Sequence, residues 1–257
     1  MAFVLSDNSY GKSKVRLTKV VRKGAVHELF EIDAAIQLTG DFDAAYYDGD
    51  NTQVVATDSI KNTVYVLAKE NDFKSIEQFA MILAKHFVKT YEQVHSATVE
   101  LTQTAWQRIT VGGKPHDHAF TSAGPQLRYA GAIVETIGEE TETAATLGGG
   151  VRNLLVLKTT GSEWRDFVSD RYRTLKDTRD RIIATRVDAD WTYNTTDADF
   201  DKANAAITDA ILTTFATQHS LGVQQTLQAM GEAALKASPT IDAIHFELPN
   251  MHRIPFN

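Results

Sequence analysis

Apolar and polar residues alternate at Ile32, Ala34, Ile36 and Leu38, and again at Ile244, Phe246 and Leu248. A period of two puts one row of side chains on each face of a half-buried strand. Strands are therefore predicted over Val26–Leu38 and Ile241–Leu248, with a β-rich run, Val15–Lys23, before the first that breaks at Lys23-Gly24. Between them the period changes. Ile76, Phe79, Leu83, Phe87 and Tyr91 recur at helical spacing behind Ser75-Ile76-Glu77-Gln78, a capping box. This helix is predicted to reach about Gln93 and to lead into a strand over Ala97–Ile109. Leu127–Ile137 and Val151–Lys158 read as strands separated by Gly148-Gly149-Gly150. Asp199 can cap a helix carrying Phe200, Ala203, Ile207, Ile211 and Phe215, and Ser220 starts another with Val223, Leu227, Met230 and Ala234. Val54–Ala56 and Thr63–Leu67 are read as strand residues on either side of a polar turn.

The second half thus repeats the element order of the first, without repeating its sequence. Antiparallel strands with helices on one face define an α+β chain. The polar, Gly-, His- and Pro-containing stretch Val111–Gln126 is the expected loop between halves, giving domains 1–125 and 126–257.

Composition narrows the classes. Over 257 residues, 43% hydrophobic and 23% charged side chains are those of an ordinary globular protein. A net charge of −7 argues against a nucleic-acid partner and obliges any anionic ligand to find a local positive site. The chain has no cysteine, which removes disulfides, thiolate metal sites and a thiol nucleophile. No apolar run is long enough to cross a bilayer, the start Met1–Asp7 lacks a basic region, and Ile254-Pro255-Phe256-Asn257 is no peroxisomal tripeptide. A cytoplasmic location is expected.

The most distinctive stretch is Thr57-Asp58-Ser59-Ile60-Lys61-Asn62-Thr63, which offers a hydroxyl, a carboxylate and an amine where a plain turn would carry Gly or Pro. It closely resembles the T-D-S-x-K-N-T signature of the urate oxidase (uricase) family. Four other stretches match that family in order: Tyr10-Gly11-Lys12 with Val15-Arg16, Lys158-Thr159-Thr160-Gly161-Ser162-Glu163-Trp164 on to Arg181, Ser220-Leu221-Gly222-Val223-Gln224, and Leu248-Pro249-Asn250-Met251-His252. The resemblance implies tandem tunnelling-fold (T-fold) repeats and a homotetramer with active sites at subunit interfaces. It also implies cofactor-independent oxidation of urate by dioxygen.

Urate is a flat, electron-rich anion edged with carbonyl and N–H groups. Arg181 would grip one edge bidentately, and Gln224 would match an amide edge with one donor and one acceptor. The backbone of Val223, near a helix start, favours an anion, and Trp164 would stack on the ring. The resemblance assigns Lys12, Thr57 and His252 to proton transfer: Thr57, hydrogen-bonded to Lys12, would relay urate's second proton. Asp58 would orient Thr57 and touch the substrate edge, and Asn250 would hold dioxygen or the attacking water. Taken singly, each of these residues also fits an ordinary surface or core role.

Three departures from the family are visible. Trp164 stands where the family has phenylalanine, Met251 replaces a lysine, and the chain stops at Asn257, before the expected last strand. The first two leave room for a different purine-like or pyrimidine-like heterocycle as substrate, and the third for a silent binding paralogue. His116-x-His118, with His95 elsewhere, invites a metal reading but lacks a carboxylate or thiol at motif spacing, so no metal is expected.

Overall fold

Ile32, Ala34, Ile36 and Leu38 are each at most 2% exposed, so the alternating row does form one buried face of a strand. The computed structural model describes residues 3–137 and 142–253; the terminal Ile254–Asn257 lies outside them. The chain packs as two compact units, Met1–Gly149 and Gly150–Asn257.

In the first unit β1 (Tyr10–Lys23), β2 (Val26–Gly40), β3 (Val94–Val111) and β4 (Lys114–Ile137) pair in chain order, each antiparallel to the next. Between β2 and β3 come α1 (Asp43–Tyr47), α2 (Thr57–Glu70) and α3 (Ile76–Thr90). Ser75 caps α3 as its sequence requires, accepting a hydrogen bond from the Gln78 amide. Ile76, Phe79, Leu83 and Phe87 are fully buried against β3 and β4. Glu77 is buried on the same helix. Arg128 of β4 meets it with Nη2 at 2.7 Å and Nε at 3.2 Å. Burial still pushes the Glu77 carboxyl above its ordinary value, the arginine acting against it.

The second unit takes up β5 (Glu142–Lys158) from Gly150 onward, followed by β6 (Ile183–Tyr193), α4 (Phe200–Thr217), α5 (Val223–Ala237) and β7 (Ile241–Glu247). The strands are ordered β5-β6-β7, with β6 and β7 antiparallel. Asp199 caps α4 through the Lys202 amide, and Phe200, Ala203, Ile207, Ile211 and Phe215 are buried, as the spacing predicts.

Three expectations are corrected. Thr57–Glu70 is a helix, not a turn between strands. Ile60, Val64 and Ala68, four residues apart, form a buried stripe on a helix packed against β1, and that burial outweighs the β propensity of Val64 and Tyr65. Val111–Gln126 is not a loop. Gly112 and Gly113, at φ 57° and 79°, make a tight two-residue turn, and the polar residues after it are the exposed start of β4. Residues 125 and 126 therefore fall inside β4. Gly148–Gly150 does not break a strand but lies within β5, and β6 adds a strand beyond those expected, with Val187, Ala189, Trp191 and Tyr193 alternating into the core.

Candidate active site

The predicted site residues divide between the two units. Lys12, Thr57 and Asp58 lie in the first; Trp164, Arg181, Val223, Gln224, Asn250 and His252 lie in the second.

In the first unit, β1 positions the start of α2. The Tyr10 hydroxyl accepts from the Val55 amide at 2.7 Å and donates to the Val55 carbonyl at 3.1 Å, two residues ahead of Thr57. Phe42 meets the Tyr10 ring edge-on, and burial pushes the phenol's pKa up, so it remains a donor. At the other end of the helix, Lys19 donates to the carbonyls of Ala68 and Asn71 at 2.8 and 2.6 Å. One strand thus holds both ends of α2. Gly11 has a steric reason: a Cβ there would sit 1.9 Å from the Ile36 carbonyl oxygen. A bulge follows between Lys12 and Val15, with Lys14 at φ 58°, and leaves Lys12 exposed.

Thr57 opens α2 behind Ala56, whose side chain provides no cap, so the first amides of the helix are free of an internal partner. Asp58 is 72% exposed and is held by its own helix. Lys61 Nζ lies 2.5 Å from Oδ1, and Asn62 donates to Oδ2 at 2.9 Å. The Lys61 hydrogen bond is the largest influence holding the Asp58 carboxyl below its usual range, and the charge of Lys12 adds to it. Among the described residues neither Lys12 nor Thr57 makes a side-chain hydrogen bond, so their predicted mutual bond is not present in this chain alone.

In the second unit, residues 160–182 contain no helix, and backbone hydrogen bonds fix their course. Trp164 and Thr178 exchange amide bonds at 2.8 Å each way, and the Arg181 amide reaches the Ser162 carbonyl at 2.9 Å. The Glu163 amide donates to Ser220 at 2.7 Å, and the Ser220 amide to Gly161 at 2.9 Å. Three distant segments therefore meet at one crossing. Buried Thr226 donates to Ser220 Oγ at 2.8 Å, which ties that crossing to the first turn of α5.

The clamp residues converge there. The Arg181 guanidinium carbon lies 5.5 Å from the Trp164 ring centroid, and Phe167 stacks on the same indole at 5.6 Å with 17° between planes. A Cβ on Gly222 would be 3.1 Å from Trp164 Cζ3 and 3.6 Å from Gln224 Oε1, so the missing side chain makes room for the indole beside the carboxamide. Val223 is the first residue of α5. Burial lowers the Arg181 pKa, and its Nε is a buried donor with no partner among the described residues. The stretch Pro249–Met251 lies beside the start of β6: Thr185 donates to the Pro249 carbonyl and Met251 to the Ala184 carbonyl, both at 2.9 Å. Asn250 bridges Thr185, and its Nδ2 lies 3.4 Å from His252 Nδ1.

Several supporting residues escaped the sequence reading. Glu163, beside Trp164, receives His219 Nε2 at 2.8 Å and Arg165 Nε at 2.5 Å, and the arginine, then the histidine, hold its carboxyl below the ordinary range. Asp180 braces Thr160 and the Gly161 amide, each at 2.9 Å. Lys61 and Asn62 stand three and four residues after Asp58, a signal available once the segment is read as a helix. Of the histidines in the metal reading, the ring centroids of His116 and His118 lie 4.6 Å apart, and His95 pairs with Asp41 at 3.1 Å. Among the described residues no group of three or more His, Asp or Glu side chains could hold a metal ion.

An antiparallel sheet backed by helices, with a guanidinium, an indole and a carboxamide gathered at a loop–helix junction, defines an α+β protein of the tunnelling-fold class. The sequence profile of uricase matches residues 8–133 and 147–257. A uricase from Arthrobacter globiformis is 44% identical over 249 residues, covering 97% of this chain and 79% of the relative. A uricase from Dictyostelium discoideum is 36% identical, covering 98% and 87% respectively. The crystal structure of uricase from Arthrobacter globiformis superposes with a TM-score of 0.90 at 42% identity, over 100% of this chain and 86% of that one. The chain belongs to the uricase family.

Proposed function

We propose that the protein is a urate oxidase of purine breakdown, converting urate, dioxygen and water to 5-hydroxyisourate and hydrogen peroxide without a cofactor. The observation that carries the site assignment is Arg181. A buried guanidinium N–H without a partner is costly, and a carbonyl-edged anion set beside Trp164 would satisfy it. Gln224 would take the opposite edge and the Val223 amide the negative charge, with the indole against the ring. Proton removal falls to Thr57 and Lys12, and Asp58 borders the substrate. The doubly deprotonated ring gives its electrons to dioxygen, which Asn250 holds. Water then adds to the oxidised ring, with His252 in the relay.

The clamp of one copy works with the relay of another, in a homotetramer. This arrangement accounts for a Thr57 and a Lys12 that lie exposed and unbonded in the single chain. Two T-fold repeats, drawn at 1–125 and 126–257 from the order of elements, and a cytoplasmic home for a cysteine-free chain complete the proposal.

Purified protein, given neither metal nor flavin, is expected to bleach urate's ultraviolet band while consuming one dioxygen and releasing one peroxide per urate. Absence of turnover at high enzyme concentration would overturn urate as the substrate.

A further inference from the structure

The carboxylate most able to interfere with a lysine-based relay is Asp58, because it lies on α2, which packs against β1, and the charge of Lys12 on β1 reaches it. It does not lie free. Its two oxygens are separately occupied, Oδ1 by Lys61 at 2.5 Å and Oδ2 by Asn62 at 2.9 Å. The helix enforces this: Asp58, Lys61 and Asn62 are i, i+3 and i+4 on α2, whose opposite stripe of Ile60 and Val64 is fully buried. We infer that Lys61 and Asn62 are positioning residues of the proton relay, which hold the Asp58 carboxylate on α2 and so keep it from pairing with Lys12. This rests on the proposed role of Lys12 and Thr57.

A relay lysine can accept a proton only while its amine is neutral, and a bare carboxylate nearby favours the ammonium form. Lys12 is felt by Asp58, but as the smallest of the influences on that carboxyl. Among the described residues, charged or titratable groups near it include Lys14 in the same bulge, Tyr65, whose charge acts on Lys61, and Glu100, which lines the same cleft as Lys12. Glu100 is itself engaged, accepting from the Tyr129 hydroxyl at 3.0 Å. Asp58 is thus the carboxylate whose partner decides what Lys12 faces.

The test is the pH profile of kcat/KM for urate with the full-length enzyme. In Lys61→Met the acid limb is expected to move to higher pH by on the order of one unit, while Lys61→Arg retains the parental limb. In Asp58→Asn/Lys61→Met the limb is expected to return, even if the rate does not. A limb unmoved in Lys61→Met, with thermal midpoint and assembly preserved, overturns the inference, as does a shifted limb that the double variant leaves in place. Asn62→Leu gives a second opening of the same carboxylate, with a smaller shift in the same direction expected, should Lys61→Met not fold. Lys12→Met separates the two levels: if it leaves kcat intact the relay itself is wrong, whereas if it abolishes kcat while Lys61→Met leaves the profile in place, only this inference falls.

Discussion

The two groups of site residues are held by different means. In the first unit Lys12, Thr57 and Asp58 sit on regular elements, and side chains hold them: Tyr10 pins the approach to α2, while Lys61 and Asn62 engage Asp58. In the second unit Trp164 and Arg181 sit on irregular chain, and backbone bonds of Trp164 with Thr178, of Arg181 with Ser162, and of Gly161 and Glu163 with Ser220 hold them. The difference suits two tasks. Proton transfer needs polar groups that can exchange partners, so these stand exposed on firm supports. Recognition of a flat edge needs fixed donors in a partly desolvated place, so these are bound at a crossing of three segments.

If that division is right, variants should separate by kinetic parameter. The largest effect is expected at the relay. Thr57→Ala or Lys12→Met should lower kcat by about 10²–10⁴-fold, the usual range for a proton-transfer group, with binding of a non-reactive urate analogue nearly unchanged by calorimetry. Next comes the clamp. Arg181→Ala should weaken the same analogue by roughly 10–100-fold, since hydrogen bonds to a charged group contribute about 1.5–3 kcal/mol. Its thermal midpoint should hardly move, because Nε has no partner to lose among the described residues. Equal damage by both variants to kcat and affinity would dissolve the comparison.

A smaller effect tests the crossing itself. Gly222→Ala places a methyl 3.1 Å from Trp164 Cζ3. It should raise KM severalfold, as overpacking of about 1–3 kcal/mol would. Trp164→Phe in the same chain should recover most of that loss by shortening the indole. The smallest effect is acid sensitivity of the second unit. Glu163 and Asp180 both titrate below their ordinary values when folded. A depressed carboxyl lends stability that is full above its unfolded pKa, about 4, and is lost as pH falls through the lower folded value. Protection from hydrogen exchange, corrected for intrinsic rates, should therefore fall at Gly161, Ser162 and Trp164 below about pH 4, ahead of the α3 core, and Asp180→Asn should lower protection at Gly161 already at neutral pH. Protection that holds at Gly161 while α3 opens would show that these carboxylates do not brace the crossing.

Local pattern carried much of this. The rows at Ile32–Leu38 and Ile244–Phe246, the caps Ser75 and Asp199, and the apolar stripes of α3 and α4 follow from burying one face of each element, which a single segment can declare. The five motifs named the family, and with it the set of side chains to look for. Thr57–Glu70 shows where local pattern fails: Val64, Tyr65 and Val66 favour a strand, and only the surface of β1, with Tyr10 and Lys19 at the helix ends, makes the helix win. The clamp shows it again. Nothing near Trp164 in sequence states that Thr178, Ser220 and Gly222 will lie against it, because the bonds that join them are made by backbone amides and carbonyls that every residue carries alike. Which segments cross is therefore settled by tertiary packing, whereas which residues can hold an anion or move a proton is written in the side chains themselves.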